Sequence, residues 1–267
     1  MMRIGVFDSG LGGLFVLRHI IERMPQHDYV YLGDTQRVPY GSRSEATIYQ
    51  FTEQAVNFLF AHDCQLIIIA CNTSSARSLR KIQQEYLPMH FPKRRVLGVI
   101  IPSVETALEH NPKTIGVLGT PSTISSETYV KEIAKRNPKA VVVQKAAPLL
   151  VPVIESGESM WEKPILSEYL RPFIQSVPEV LIFGCTHYGM LKQFARELIP
   201  SVPIISQEDV IPKKLQDYLK RHPEIESTLT QGGSRQFFVT DLTPRISQLA
   251  AEWFLLDIDL SLAAVDI

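Results

Sequence analysis

The sequence predicts an α/β protein made of two similar, open, mostly parallel α/β domains. Three observations carry this. Short apolar, β-branched runs alternate with longer amphipathic stretches along the chain. The strand-like runs are nearly continuous in hydrophobicity, as expected for parallel strands covered on both faces. One phrase also occurs twice: an apolar run that ends in cysteine and small polar residues, Leu66-Ile67-Ile68-Ile69-Ala70-Cys71-Asn72-Thr73 and Val180-Leu181-Ile182-Phe183-Gly184-Cys185-Thr186-His187. Strand–helix alternation of this kind favours a parallel sheet with helical crossovers.

Taken in order, Ile4-Gly5-Val6-Phe7 forms the first strand, and Asp8-Ser9-Gly10-Leu11-Gly12-Gly13 turns it into a helix over residues 14–24. Further strands are expected at 29–32, 66–70, 96–100, 115–118, 141–143, 180–183, 204–205 and 237–239. Amphipathic periodicity predicts helices at 44–61, 74–86, 125–136, 162–177, 190–198 and 208–219, with a last helix after Phe237-Phe238-Val239-Thr240. Gly5-Val6-Phe7-Asp8-Ser9-Gly10 and Gly116-Val117-Leu118-Gly119-Thr120-Pro121 form a second matched pair, which supports two similar halves. Ligands of open parallel sheets bind beyond the carboxyl ends of the strands, where all these polar phrases fall.

At 267 residues the chain is long enough to bury a substantial core. Apolar residues make up 45% and charged residues 21%, far from a disordered composition. A net charge of -1 offers no general attraction to nucleic acid, and Lys93-Arg94-Arg95 is a short solvated strand entry. No apolar run approaches the roughly 18 residues of a membrane span. Met1-Met2-Arg3 leads straight into a strand without a signal-like apolar region. The expectation is a soluble, cytoplasmic protein. Three cysteines without Cys-x-x-Cys spacing argue against a disulfide framework, a zinc site or a thiol redox motif.

Cysteine after an apolar strand is often just a small buried hydrophobe. Cys71 and Cys185 differ in lying at strand exits, each followed by polar donors and by an expected helix whose N-terminal N–H groups would lower a thiol's pKa. Cys64, inside its apolar approach, reads as structural. The glycine-rich turn after the first strand lacks the third glycine of a dinucleotide fingerprint, since Phe15 stands there, and Asp8 would repel a phosphate. It reads either as a tight turn or as a functional segment, with Asp8 near a thiol or a substrate ammonium and Ser9 as a carboxylate donor. Val38-Pro39-Tyr40-Gly41 is a turn whose backbone N–H groups and Tyr40 hydroxyl suit a carboxylate. His187, two residues beyond Cys185, is placed to tune that thiol or move protons. Glu155 alone reads as a surface residue.

Together these phrases resemble the glutamate racemases of the aspartate/glutamate racemase superfamily. The matching stretches, in order, are residues 5–13, Gly33-Asp34, Pro39-Tyr40-Gly41, Ala70-Cys71-Asn72-Thr73, Gly98-Val99-Ile100, residues 116–120, Pro148-Leu149 with Glu155, and Gly184-Cys185-Thr186-His187-Tyr188. The resemblance implies two domains, residues 1–95 with 208–267 and residues 96–207, with the active site in the cleft between them. It implies interconversion of L- and D-glutamate without a cofactor or metal, supplying D-glutamate for peptidoglycan. Cys71 and Cys185 become the two acid/base thiols, Asp8 and His187 their helpers, and Glu155 a partner of His187. Ser9, Tyr40, Gly41, Asn72, Thr73 and Thr186, together with Asp8 and His187, become the groups around the substrate. A homodimer is implied, with no nucleic-acid or membrane partner. Ala147 and Gly189 depart from the cysteine and proline common in relatives. No extension of the kind some relatives use for an activator precedes Met1, so an activated mode is not expected.

The chemistry fits the residues. Inverting an α-carbon requires proton removal on one face and delivery on the other, with no cofactor ring to spread the charge. A thiol with a pKa near 8.5 serves either role, since about a tenth is thiolate one pH unit below its pKa. Like-charge repulsion favours one thiolate and one thiol at rest. The alternatives are a sister racemase for aspartate or another amino acid, and a non-catalytic binding module that retains the fold.

Overall fold

The computed structural model describes residues 2–255 and 258–265. Two all-parallel sheets organise them. The first has β1 (Arg3–Asp8), β2 (Tyr29–Gly33), β3 (Cys64–Ile69), β4 (Arg95–Gly98), β9 (Arg235–Val239) and β10 (Leu260–Leu262), in the order β10-β9-β2-β1-β3-β4. The second has β5 (Thr114–Gly119), β6 (Val141–Ala146), β7 (Val180–Gly184) and β8 (Ile204–Ile205), in the order β6-β5-β7-β8. β1, β2, β3, β5 and β7 are apolar and almost wholly buried, as their unbroken hydrophobicity requires.

The strand order explains where the polar phrases meet. In the first sheet the chain goes from β1 to β2 on one side and later to β3 on the other. In the second it goes from β5 to β6 on one side and to β7 on the other. Each reversal opens a crevice beyond the carboxyl ends of two neighbouring strands. Asp8 and Cys71 flank the first crevice; Thr120 and Cys185 flank the second.

Several expected boundaries move. Residues 96–98 pair with β3, so this strand belongs to the first sheet rather than to the part beyond residue 95, and it ends at Gly98. Ile100 already opens the helix Ile100–Leu108. The single helix expected over 74–86 is three pieces, Asn72–Arg77, Leu79–Lys81 and a π-helical turn Ile82–Tyr86, broken at Ser78. The helix expected over 125–136 is Pro121–Ser125 followed by Thr128–Arg136, separated by Glu127 in a left-handed conformation with φ 56°. Helix Gln207–Arg221 packs on helix Gly12–Arg23 and on helix Ile100–Leu108, tying the layers of the two sheets together. One continuous apolar cluster accordingly runs through both, from Ile4, Leu14 and Leu17 to Val117, Phe173 and Phe183.

Candidate active site

A cavity of about 100 Å³ lies between the two crevices and is lined by both Cys71 and Cys185. Ser9, Tyr40, Gly41, Asn72, Thr73, Glu155, Thr186 and His187 also line it, so ten expected site residues meet at one place. Asp8 lies just beneath this surface, fully buried. The space suits a small metabolite and falls well below the roughly 300–1,000 Å³ of a drug-sized pocket.

Cys71 follows β3 and caps the helix Asn72–Arg77: its sulfur accepts the Ser74 N–H at 3.4 Å and donates to Ser9 Oγ at 3.3 Å. Sequence reasoning expected the helix start to lower this thiol's pKa. The net direction is upward, because burial and the neighbouring Asp8 carboxylate outweigh the Ser9 and Ser74 hydrogen bonds. Asp8 is itself pushed up by burial, opposed by the His187 cation and by the N–H groups of Gly10 and Gly13. Thr186 Oγ1 donates to Asp8 Oδ1 at 3.3 Å, so the first strand's carboxylate reaches the second half's donor.

Around Cys185 the company differs. A 3-10 turn, Thr186–Leu191, follows in place of an α-helical N-terminus, and the sulfur gains no hydrogen bond from that turn's backbone. Its partner is His187, whose Nδ1 lies 3.7 Å away. His187 Nε2 sits 2.9 Å from Glu155 Oε1, and its ring meets Trp253 edge-on at 5.5 Å between centroids. Burial alone would depress the imidazole, but the hydrogen bonds to Cys185 and Glu155 raise its pKa well above the usual value. Glu155, which in isolation reads as a surface residue, is half-buried here because helix Leu150–Ser156 directs it at His187.

This raised pKa carries a sign. His187 gains its partners on folding, so its folded pKa exceeds the unfolded value near 6.5. The stabilisation from Glu155 is therefore complete below about pH 6.5 and is lost as pH rises through the folded pKa of His187. Glu155→Gln is expected to melt well below the parent at pH 6, with the gap closing in alkaline buffer. Calorimetry across that range checks it; a gap independent of pH would show that no charge is involved.

The remaining donors are held from several directions. Asn72 Oδ1 accepts from the Tyr129 hydroxyl at 2.7 Å, whereas its Nδ2 is buried with no partner among the described residues. Left unpaired, a buried donor costs about 1–3 kcal/mol. Thr73 Oγ1 lies 2.9 Å from Thr120 Oγ1 and 3.3 Å from Thr123 Oγ1, joining the two halves at the cavity wall. Thr120, which sequence reasoning matched only as part of a strand phrase, lines the cavity as well. Its equivalence to Ser9, each one residue past the end of its strand, was the available signal. A Cβ on Gly41 would come within 2.8 Å of Thr120 Cβ, so glycine lets this turn close on the second half.

The Tyr40 hydroxyl does not face a ligand as expected. It donates to Asp34, a fully buried carboxylate that also accepts from Arg37 Nε at 2.7 Å and Thr240 Oγ1 at 2.7 Å. Tyr40 therefore offers the cavity its ring and backbone. Gly189 also finds a reason, since a Cβ there would lie 2.5 Å from Glu208 Oε2, a buried carboxylate bound to Lys192 and Ser206. Among the described residues no group of three or more His, Cys, Asp or Glu is placed to hold a metal ion, and no helix is long and apolar enough to cross a membrane.

Two parallel sheets presenting a thiol each to one cavity is the arrangement of an amino-acid racemase, and the comparisons agree. A model of the Asp/Glu/hydantoin racemase family matches residues 13–211, and the chain belongs to that family. Within it, the chain is 39% identical to the glutamate racemase of Aquifex aeolicus, covering 93% of this chain and 92% of that one. A glutamate racemase from Francisella tularensis, solved in complex with D-glutamate, superposes with a TM-score of 0.89 at 32% identity, covering 99% of this chain and 98% of that one. A glutamate racemase isoform from Bacillus anthracis superposes with a TM-score of 0.90 at 29% identity, covering 100% and 98%.

Proposed function

We propose that this chain interconverts L- and D-glutamate by a two-base mechanism without a cofactor, supplying D-glutamate for peptidoglycan synthesis. The observation that carries this reading is the placement of Cys71 and Cys185 on one small cavity between the sheets. One sulfur removes the α-proton from one face of the substrate while the other delivers a proton to the opposite face. Their roles exchange with the direction of reaction.

The neighbours divide the work. The free Nδ2 of Asn72, the hydroxyl of Thr73 and that of Thr186, once it turns from Asp8, bind the carboxylates, stabilising charge that develops beside Cα. Ser9 and Asp8 attend Cys71, while His187, held by Glu155, attends Cys185. The backbone of Tyr40-Gly41 closes the wall against Thr120. The two sheet-centred halves act as domains on either side of the cleft. The protein works in the cytoplasm, where its buried thiols stay reduced, and as the homodimer that the resemblance implies.

A single assay tests the core of this. In deuterated buffer, D-glutamate should lose its circular dichroism and gain deuterium at Cα, while D-aspartate should do neither at a comparable rate. Faster turnover of aspartate would reassign the substrate; no α-hydrogen exchange from either would reject catalysis.

A further inference from the structure

The helix that carries Cys71 is anchored at its far end by one cation. Helix Asn72–Arg77 starts at the Cys71 cap and finishes on Arg77, whose guanidinium divides its donors among three acceptors. Nη2 donates to Ser125 Oγ at 2.7 Å and Nε to Ser122 Oγ at 3.3 Å, both on helix Pro121–Ser125 of the second half. Nη1 donates to Glu45 Oε2 at 3.0 Å, at the start of helix Glu45–Ala61.

Each of these three helices departs from a wall of the cavity. The first leaves from Cys71, the second from Thr120, and the third follows the turn Tyr40–Ser42. Arg77 is not among the residues lining the cavity, and lies about 9 Å along the helix from Cys71 at 1.5 Å per residue. Its side chain is only 19% exposed, and a planar guanidinium fork fixes direction as well as distance. Neighbouring neutral contacts run the same way: the Ala76 carbonyl accepts from Thr128 Oγ1 at 3.2 Å.

We propose that Arg77 is a positioning residue for racemisation, acting through helix Asn72–Arg77 to set the gap between Cys71 and Cys185. The proposal rests on the two-thiol reading above. Proton transfer at carbon is sensitive to placement, and a shift of about 1 Å can cost on the order of 100-fold in rate. Arg77 touches neither sulfur nor the cavity, so its loss acts only through the helix, and proton transfer at Cys71 should suffer far more from a small shift than carboxylate binding by Asn72 and Thr73 on the same helix.

The test uses the full chain, with kcat and KM for both enantiomers and the isotope effect of α-deuterated glutamate on kcat. Arg77→Ala should lower kcat by about 10- to 100-fold, keep KM within about threefold, and raise the isotope effect. Ser122→Ala with Ser125→Ala should show a similar loss, and adding it to Arg77→Ala should cost little more, since contacting residues are not additive. Arg77→Lys should recover part of the rate. A kcat for Arg77→Ala within twofold of the parent, or losses that simply multiply, would overturn the proposal. Should Arg77→Ala not fold, the paired serine variant decides by the same kcat, KM and isotope criteria. A parent that fails to racemise glutamate overturns the two-thiol reading and this inference with it; an active parent with a fully active Arg77→Ala overturns only the inference.

Discussion

Cys71→Ser and Cys185→Ser are each expected to reduce racemisation by at least about 1,000-fold while D-glutamate still binds. Serine keeps the shape of the side chain but replaces a thiol, which can gain and lose a proton, with a hydroxyl that is neither acid nor base at working pH. Both sulfurs border the same cavity, so neither can be replaced by the other without moving to the opposite face of Cα. The two variants should differ in what remains. With Cys185 intact, Cys71→Ser retains a base on one face and should still exchange the α-hydrogen of one enantiomer with solvent; Cys185→Ser should do so for the other. Isothermal titration and enantiomer-resolved deuterium exchange measure both. Full turnover by either variant would refute the assignment of one proton transfer to each sulfur.

Gly12→Ala should also damage the protein, although Gly12 carries no reactive group. A Cβ there would lie 2.5 Å from Thr186 Oγ1 and 2.6 Å from His187 Nδ1. Neither neighbour can yield cheaply. The Thr186 hydroxyl donates to Asp8, and the His187 ring is fixed by Glu155 and Trp253. Overpacking of this kind costs about 1–3 kcal/mol. Here the displaced groups are the ones proposed to serve Cys185, so kcat/KM should fall by about 100-fold, the scale of a misplacement near 1 Å. A melting curve and steady-state kinetics on one preparation separate the two effects. Normal kcat/KM would show that helix Gly12–Arg23 does not fix the Thr186-His187 turn.

The strands and the thiols were readable because their signals are local. Apolar runs such as Val30 to Leu32 and Leu66 to Ile69 are buried end to end, and a cysteine at a strand exit points to the open end of a sheet. Interruptions were harder to read. Nothing in the amphipathic pattern around Ser78 or Glu127 distinguishes a broken helix from a continuous one. Strand β10, three residues long and half-exposed or exposed, lacks the hydrophobicity that betrays a buried strand. The Tyr40 hydroxyl was assigned to a ligand because its partner Asp34 is set in place through the fold, by a hydrogen bond from Thr240, 206 positions further along the chain. Thr120 was overlooked as a site residue for a related reason: its importance comes from Thr73 and Gly41, both supplied by the other sheet.

The unequal surroundings of the two sulfurs have a kinetic consequence. L- and D-glutamate are mirror images of identical free energy in water, so the overall equilibrium constant is one, and kcat/KM must be the same in both directions for any variant. A hydroxyl and a carboxylate attend one sulfur, and an imidazolium the other, so the bound enantiomers need not be equally stable. Whatever favours one of them in the complex must then raise or lower its kcat and KM by the same factor. Changes at Ser9 or Glu155 will therefore tilt the two progress curves against each other, yet leave their ratio at low substrate fixed at unity.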